Sequence, residues 1–565
     1  MSKRWKFLQC DPEMQTSLSA QLNIHPVLSR LLLQRGIQTF EEARDFFRPS
    51  LQKLHDPFLM KDMDRAVERI SRALSAGEKI LVYGDYDVDG TTSVAMMFSF
   101  LQQLTPQVDY YIPNRYTEGY GVSFQGIDFA EKEGFSLIIS LDCGIKSADK
   151  VQYALEKQID FVICDHHMPD ITLPAAAAVL DPKRTDCLYP YKELSGCGVG
   201  FKLIQALCSS LKLPEDTAYA WLDLICTSIA ADIVPITGEN RILAFHGLKK
   251  LIQQPTPGLK TLLAAAGLKR DPDITDVVFI LAPRINAAGR MEDARHAVRL
   301  LIGAEPGLME QYADRLNDFN RDRKDLDRAI TQQALQRIQD DPALQNKRST
   351  VLWQADWHKG VLGIVASRLT ETWYRPTIVL TESEGKLMGS ARSIRDFDLY
   401  EALYACREHL TQFGGHKFAA GLSLPVENVE AFQQQFEAVV RARTTDDMFI
   451  PEIEVDAELP TEAISKSFYS IVQQLAPFGP GNMKPQFVSR GLVDTGYSRL
   501  LKNQHLKLSV KNATGKTFDG IAFGQPTWLE VVKQGPVDVL YQLEENEWNG
   551  QVNLQWMIKD IRPSA

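Results

Sequence analysis

The chain has 565 residues, 44% of them apolar and 24% charged; that composition excludes a disordered or fibrous chain, and the length calls for several domains of roughly 100–200 residues each. The formal net charge of −10 counts against a protein that binds phosphate over its whole surface, unless bound cations reverse the local sign where acids cluster. No apolar run approaches the roughly 18–20 residues of a membrane-spanning helix, the opening MSKRWKFLQCDPEMQ has no continuous apolar core, and the eight cysteines are scattered without a C-x-x-C pair, so a cytoplasmic protein with reduced, buried thiols is expected.

From Gly77 onward, short β-branched runs alternate with amphipathic stretches: KILVYGDYD, TTSVAMMFSFLQQL, VDYYIPNR, GIDFAEKEG, SLIISLDCG, ADKVQYALEKQ and DFVICDHH. Strand and helix in alternation predict a parallel sheet with crossover helices, whose ligands collect beyond the carboxyl ends of the strands. A helical region, AYAWLDLICTSIAADIVPI, follows. From about Glu305 to Asp340 charged and apolar residues keep helical spacing with no internal breaker, which predicts one helix of roughly 50 Å acting as a spacer between domains. A second α/β region comes next, with strands STVLWQ, TIVLTES and KLMGSAR and a helix opening near KGVLGIVASRL. From Pro451 to the C-terminus short alternating runs predict a small β-barrel of OB type. The expected class is therefore α/β: two α/β domains joined by a long helix, plus a C-terminal OB-like β-barrel.

Three polar clusters fall directly after predicted strands: Asp85/Asp87/Asp89, Asp142, and Asp165/His166/His167. D-x-D-x-D-G also opens an EF-hand calcium loop, but the twelfth position from Asp85, where a bidentate Glu belongs, is Met96, and a strand stands where that motif has a helix. Alternate aspartates at the end of a buried strand crowd like charges, and a cation offsets the repulsion. Asp142, in SLDCGI, is either a ligand or a turn residue. Adjacent imidazoles after Asp165 suit Mn²⁺, Mg²⁺ or Zn²⁺. Asp232, on an apolar helix, needs a partner, and a metal is one candidate. Together these residues make an oxygen-rich site with room for two ions, a pairing that hydrolyses phosphoesters without a Cys or Ser nucleophile.

YGDYDVDGTT, SLDCGI, CDHHMPD and AADIVP, in this order, resemble the four motifs of the DHH phosphoesterase superfamily. GCGVGFK, APRINAAGRMEDA, WHKGVLGIVASRL, GSARS and FGGHKFAAGLSL look like its bacterial single-strand-specific exonuclease branch, and the similarity runs through almost the whole chain. The resemblance implies a DHH domain with an N-terminal extension over 1–302, a connecting helix over 303–346, a DHHA1 domain over 347–447 and an OB-like nucleic-acid-binding domain over 448–565. It implies a 5′→3′ exonuclease that shortens single-stranded DNA to mononucleotides with two Mn²⁺ or Mg²⁺ ions, in repair and recombination. Asp87, Asp89, Asp142, His166 and Asp232 would be the ligands, Asp142 the bridge, and Asp85 and His167 would lie in or beside the same shell. Where pyrophosphatase and oligonucleotidase relatives carry a metal-binding His, this chain has Tyr83; Asp85 is the expected substitute.

A 5′-end-specific enzyme also needs donors for a terminal phosphate. Arg392 and Ser390 in GSARS suit that role, with Arg284 as a second candidate, whereas surface ion pairs are expected for Arg290, Arg295 and Arg299. His416 follows two glycines and is a phosphate contact or a turn cap, and His358 precedes a helix N-terminus, a place that favours anions. Arg499, Lys502, Lys507, Lys511 and Lys516 form a basic stripe with no acid among them, either a strand-tracking surface or a solvated face. Phe487 and Tyr497 are base-stacking or core candidates. The expected partners are single-stranded DNA with a 5′ end and, as candidates to deliver it, a single-strand-binding protein and a helicase; no membrane is expected, and the chain should act as a monomer. Two alternatives stand beside this reading: a DHH-type hydrolase of oligonucleotides, cyclic dinucleotides or pyrophosphate, and a catalytically inactive DNA-binding scaffold, whose mark would be eroded ligands.

Overall fold

The computed structural model describes residues 3–303, 306–548 and 550–564. Its first strand, β1 (Arg4–Phe7), belongs to neither α/β unit. The first α/β sheet comprises β2 (Ile80–Gly84), β3 (Val108–Tyr111), β4 (Leu137–Leu141), β5 (Asp160–Cys164) and β6 (Ala178–Leu180), in the order β3-β2-β4-β5-β6 with every pair parallel. Parallel strands are covered on both faces, so both sets of alternating side chains must be apolar. Ile80, Val82, Ile139 and Val162 accordingly enter one helical core, and Leu81, Tyr83, Ile138 and Ile163 the other. The register Gly84–Leu141–Cys164 aligns the carboxyl ends of β2, β4 and β5. All three polar clusters therefore emerge side by side.

The connecting helix runs Pro306–Asp340; Glu305, where the sequence pattern begins it, lies outside the described residues. Ala313 and Leu316 are buried in the core of the first domain. Ile330, Ala334 and Ile338 pack on the second sheet, so the helix is anchored at both ends.

That second sheet contains β7 (Thr350–Trp353), β8 (Thr377–Ser383), β9 (Lys386–Arg392), β10 (Gln412–His416) and β11 (Ala419–Pro425), ordered β10-β11-β9-β8-β7. Only β7 and β8 are parallel. The segment FGGHKFAAG, whose two glycines are expected from sequence to let backbone amides approach a phosphate, forms the turn end of the β10–β11 hairpin, with Gly414 and Gly415 in the strand ladder.

C-terminal to these, β12 (Glu452–Val455) pairs with β1 in parallel. The strands β13 (Ala457–Glu458), β14 (Phe487–Asp494), β15 (Arg499–Leu501), β16 (His505–Lys511), β17 (Thr517–Ala522), β18 (Val537–Trp548) and β19 (Gln551–Pro563) form the OB-like sheet, closed by an extra β14–β16 pairing. Its core holds Phe487, Tyr541 and Trp556 together with Leu18, Leu28, Leu31 and Leu32. The N-terminal helices, grouped by sequence with the first α/β domain, thus share their core with the barrel.

Candidate metal centre and phosphate-binding wall

Beyond β2, Asp87 caps the helix Val88–Gln102, its Oδ1 accepting from the Gly90 amide at 3.0 Å. This places Asp89 in the first helical turn, 1% exposed, where helix dipoles favour a negative charge. A second helix, Gly196–Ser210, points its start at the same carboxylate. Asp89 accepts from the amides of Gly196 (2.6 Å) and Cys197 (2.8 Å) and from the Ser228 hydroxyl (2.7 Å). Gly196 has to lack a side chain, because a Cβ there would lie 2.6 Å from Asp142 Cβ.

Asp142 extends the β4–β5 ladder by one bond, its amide donating to Cys164 at 2.9 Å, and then turns away at φ 59°, a left-handed conformation that aspartate tolerates. Its Oδ1 lies 3.1 Å from His166 Nε2. The same Nε2 is 3.7 Å from Asp89 Oδ2 and 3.6 Å from Asp232 Oδ2. Two donor groups result, Asp142/His166/His167 and Asp89/His166/Asp232, each with its donor atoms within 4.8 Å of one another.

Asp165 stands behind them. It accepts from the amides of His166 and His167 and from His167 Nδ1, the last at 2.8 Å, while its other oxygen takes the Ile145 amide. Burial pushes this carboxyl up, but the His167 hydrogen bond and the charges of both histidines outweigh burial and bring it to about 2. His167 shows the reciprocal effect: burial lowers it, and the Asp165 bond and charge lift it to about 9. Asp165 orients the His167 ring and the backbone that carries both histidines rather than facing the donor groups.

The electrostatics identify what the site is built to hold. Burial, then the charges of Asp89, Asp87 and Asp232, hold Asp142 well above the ordinary carboxylate range. Burial and then Asp89 and Asp87 push Asp232 up to about 8. Asp85, buried beside Asp87, is raised in the same way, and one of its oxygens, like His166 Nδ1, is buried without a partner. Carboxylates in mutual repulsion around an imidazole kept neutral by burial fit a pair of divalent cations. Asp85 and Asp87 belong to neither compact donor group, though Asp87 adjoins Asp85 and Asp89. Tyr83 is fully buried, donates to the Gly121 carbonyl at 3.1 Å and stacks on Tyr111, so its hydroxyl is engaged by the Gly121–Ser123 loop.

A cationic wall borders the acids. Arg392 donates to Ser390 Oγ and to the Ala391 carbonyl, both at 2.8 Å, and is depressed by burial and then by Arg115. Arg290 is pushed down to about 10, first by burial and then by Arg115, Arg323 and Arg392. Among the described residues Arg115, Arg290 and Arg392 have no carboxylate partner. For Arg290 this reverses the expected ion pair, which Arg295 does form, with Asp293. Arg115, missed by sequence reasoning, stacks over Tyr86 at 5.1 Å. Arg284 spends two donors on Asn317 Oδ1 and the Ile280 carbonyl. His358 caps the turn at Lys359–Val361 through Nδ1. His416 is exposed on β10 and within the field of Arg392.

With this geometry in view, three regions of the chain match known families: residues 79–229 the DHH family, N-terminal domain, residues 346–442 the DHHA1 domain, and residues 455–560 the RecJ OB domain. Over 566 residues the chain is 38% identical to the single-stranded-DNA-specific exonuclease RecJ of Bacillus subtilis, covering 99% of this chain and 71% of that relative. It is 32% identical to RecJ of Escherichia coli, with 98% of each covered. The chain belongs to the RecJ family. A crystal structure of RecJ in complex with Mn²⁺ from Thermus thermophilus overlays with a TM-score of 0.86 at 29% identity, covering 100% of this chain and 80% of that one.

The barrel that this family carries presents its basic residues unevenly. Arg499 lies opposite Lys507, and Lys507, Ser509 and Lys511 share the outward face of β16. Asp519 sits opposite Ser509, so an acid interrupts the stripe from a neighbouring strand. Lys502 is on the β15–β16 turn, while Lys516 folds over Phe518 and donates to the Ile464 carbonyl. Phe487 is core; Tyr497 is 74% exposed and Phe523, not foreseen, 59%.

Proposed function

We propose that this chain is a metal-dependent 5′→3′ exonuclease that releases 5′-mononucleotides from single-stranded DNA, using Mn²⁺ or Mg²⁺. The observation that carries the reading is the convergence of Asp89, Asp142 and Asp232 on His166 Nε2, next to arginines that have no carboxylate partner among the described residues. Asp87, Asp89, Asp142, His166 and Asp232 would hold the ions, with Asp142 the proposed bridge and Asp85 beside them. When bound, the ions supply a nucleophilic water at neutral pH and neutralise the charge that develops on the leaving oxygen.

The chain's own residues supply position and polarity. Arg392 and Ser390, with Arg290 and Arg115, hold a terminal 5′-phosphate, since a guanidinium fork meets two phosphate oxygens at once. Asp165 holds the His167 ring and the backbone of both histidines, and His167 leaves Nε2 beside the Tyr120 hydroxyl at 3.2 Å. The exposed Arg499, Lys507 and Lys511 face of the barrel holds the strand farther from its end.

The test follows 5′-labelled and 3′-labelled single strands and a blunt duplex, with Mn²⁺ and with chelator. Early release of the 5′ label as a mononucleotide, lost with chelator and on the duplex, is the expected result. Release of the 3′ label first would refute the polarity, and unchanged hydrolysis in chelator would refute the metal centre.

A further inference from the structure

Immediately after Asp232 the chain reverses through Ile233, at φ 60°. A β-branched residue avoids this left-handed region, and Ile233 is 65% exposed, so burial of its own side chain does not hold it there. Such a conformation persists where the surroundings over-determine it. They do so two residues downstream. Val234 and Ile236 are buried, the Pro235 carbonyl accepts from Tyr191 (3.1 Å) and Asn240 (3.0 Å), and the Ile236 amide donates to the Pro480 carbonyl at 2.7 Å.

Pro480 belongs to a tight loop far along the chain, inside the C-terminal region between β13 and β14. Gly479 and Asn482 exchange backbone hydrogen bonds at 3.0 and 2.8 Å. The Asn482 amide group donates to the carbonyls of Leu475 and Pro477, each at 2.8 Å, and its oxygen accepts from Arg35 at 2.7 Å. Arg241 donates to the Leu475 and Ala476 carbonyls. The fit against the Asp232 turn leaves no slack: a Cβ on Gly479 would sit 2.5 Å from Ile236 Cδ1, and one on Gly481 2.8 Å from Thr237 Cγ2. The N-terminal segment, the first α/β domain and the C-terminal region thus meet at the turn that carries Asp232.

We infer that the Gly479–Asn482 loop is a positioning device for Asp232, so that seating the C-terminal region completes the metal centre as well as binding the strand. This rests on Asp232 being a ligand. The experiment measures Mn²⁺ binding to full-length, metal-free protein without DNA, by the electron paramagnetic resonance of the free ion, for the parent, Gly479→Ala, Asp232→Asn and the double variant. Displacing a group that orients a ligand weakens metal binding by about tenfold or more. Gly479→Ala is expected to lose about that much for one ion, and the double variant no more than Asp232→Asn alone. Asn482→Ala, which loosens the loop without adding bulk, should follow the same pattern if Gly479→Ala fails to fold. Parent-like Mn²⁺ binding in the folded loop variants, or losses that multiply with Asp232→Asn, would overturn the positioning role alone. Unchanged binding in Asp232→Asn would overturn both the ligand reading and this inference.

Discussion

At the scale of single residues, the centre sacrifices stability for binding. Asp142 is 2% exposed and held above its ordinary range by burial and by four neighbouring carboxylates, so without cations it destabilises the fold. Asp142→Asn should therefore raise the melting temperature of chelated protein by a few degrees while reducing Mn²⁺-dependent hydrolysis by about 10³-fold or more, the scale of losing a transition-state contact. Retained turnover would remove Asp142 from the centre. Asp232 makes the matching statement about pH. Its carboxyl stands at about 8, against an ordinary 3.8; a raised value means that the neutral form is the one the fold favours. Its contribution is fully present below about pH 3.8 and is lost as pH rises through about 8. Chelated protein should thus lose stability across that window, and the gap between Mn²⁺-loaded and chelated melting temperatures should widen as pH rises. A constant gap would contradict the crowded-carboxylate account.

Elements set which residues can meet, and Gly363 shows how narrowly. It lies one residue into the helix Leu362–Trp373, where a Cβ would stand 2.8 Å from Arg392 Nη2 and 3.1 Å from Ser390 Oγ. The helix must be bare there for Arg392 to leave β9. Gly363→Ala should displace the guanidinium without changing charge, raising KM for 5′-phosphorylated strands several-fold with kcat less affected, in the direction of Arg392→Ala. An equal effect on 5′-hydroxyl ends would dissociate Arg392 from the terminal phosphate. Sequence pattern was enough to place the polar clusters, because strands buried on both faces read as continuous apolar runs and the residue after each is necessarily at the sheet's edge. It was enough for the long helix, whose spacing has no breaker. It failed at Arg290, because a lone arginine on a helix carries no mark of its neighbours; three other arginines converge on it from three distant segments. Gly196 and Ser228, both bonded to Asp89, were silent for the same reason. The β10–β11 hairpin was not foreseen because Gly414 and Gly415 have no side chains and so give no apolar alternation, although they sit in register with Gly421 and Ala420.

Across the whole molecule, the termini act together. No local periodicity could reveal that β1 pairs with β12 or that Leu18, Leu28 and Leu31 complete the barrel's core, since each helix shows only that it has an apolar face, not what covers it. The consequence is that the barrel is fastened to the first domain at the turn after Asp232, the proposed ligand, as well as by the chain itself. That face is electrostatically divided: Arg499, Lys507 and Lys511 attract a strand, and Asp519 opposes it from the adjacent β17 position. Replacing the three cations by alanine should lower the slope of log affinity against log salt by about 2, at about 0.7 per phosphate contact on a single strand, measured by fluorescence anisotropy in chelator. Hydrolysis of long strands should fall more than that of tetranucleotides. Asp519→Asn should act in the opposite direction, tightening binding of long strands and most strongly at low salt, where the screening length is greatest. An unchanged salt slope in the triple variant would show that the strand leaves the metal centre along another face.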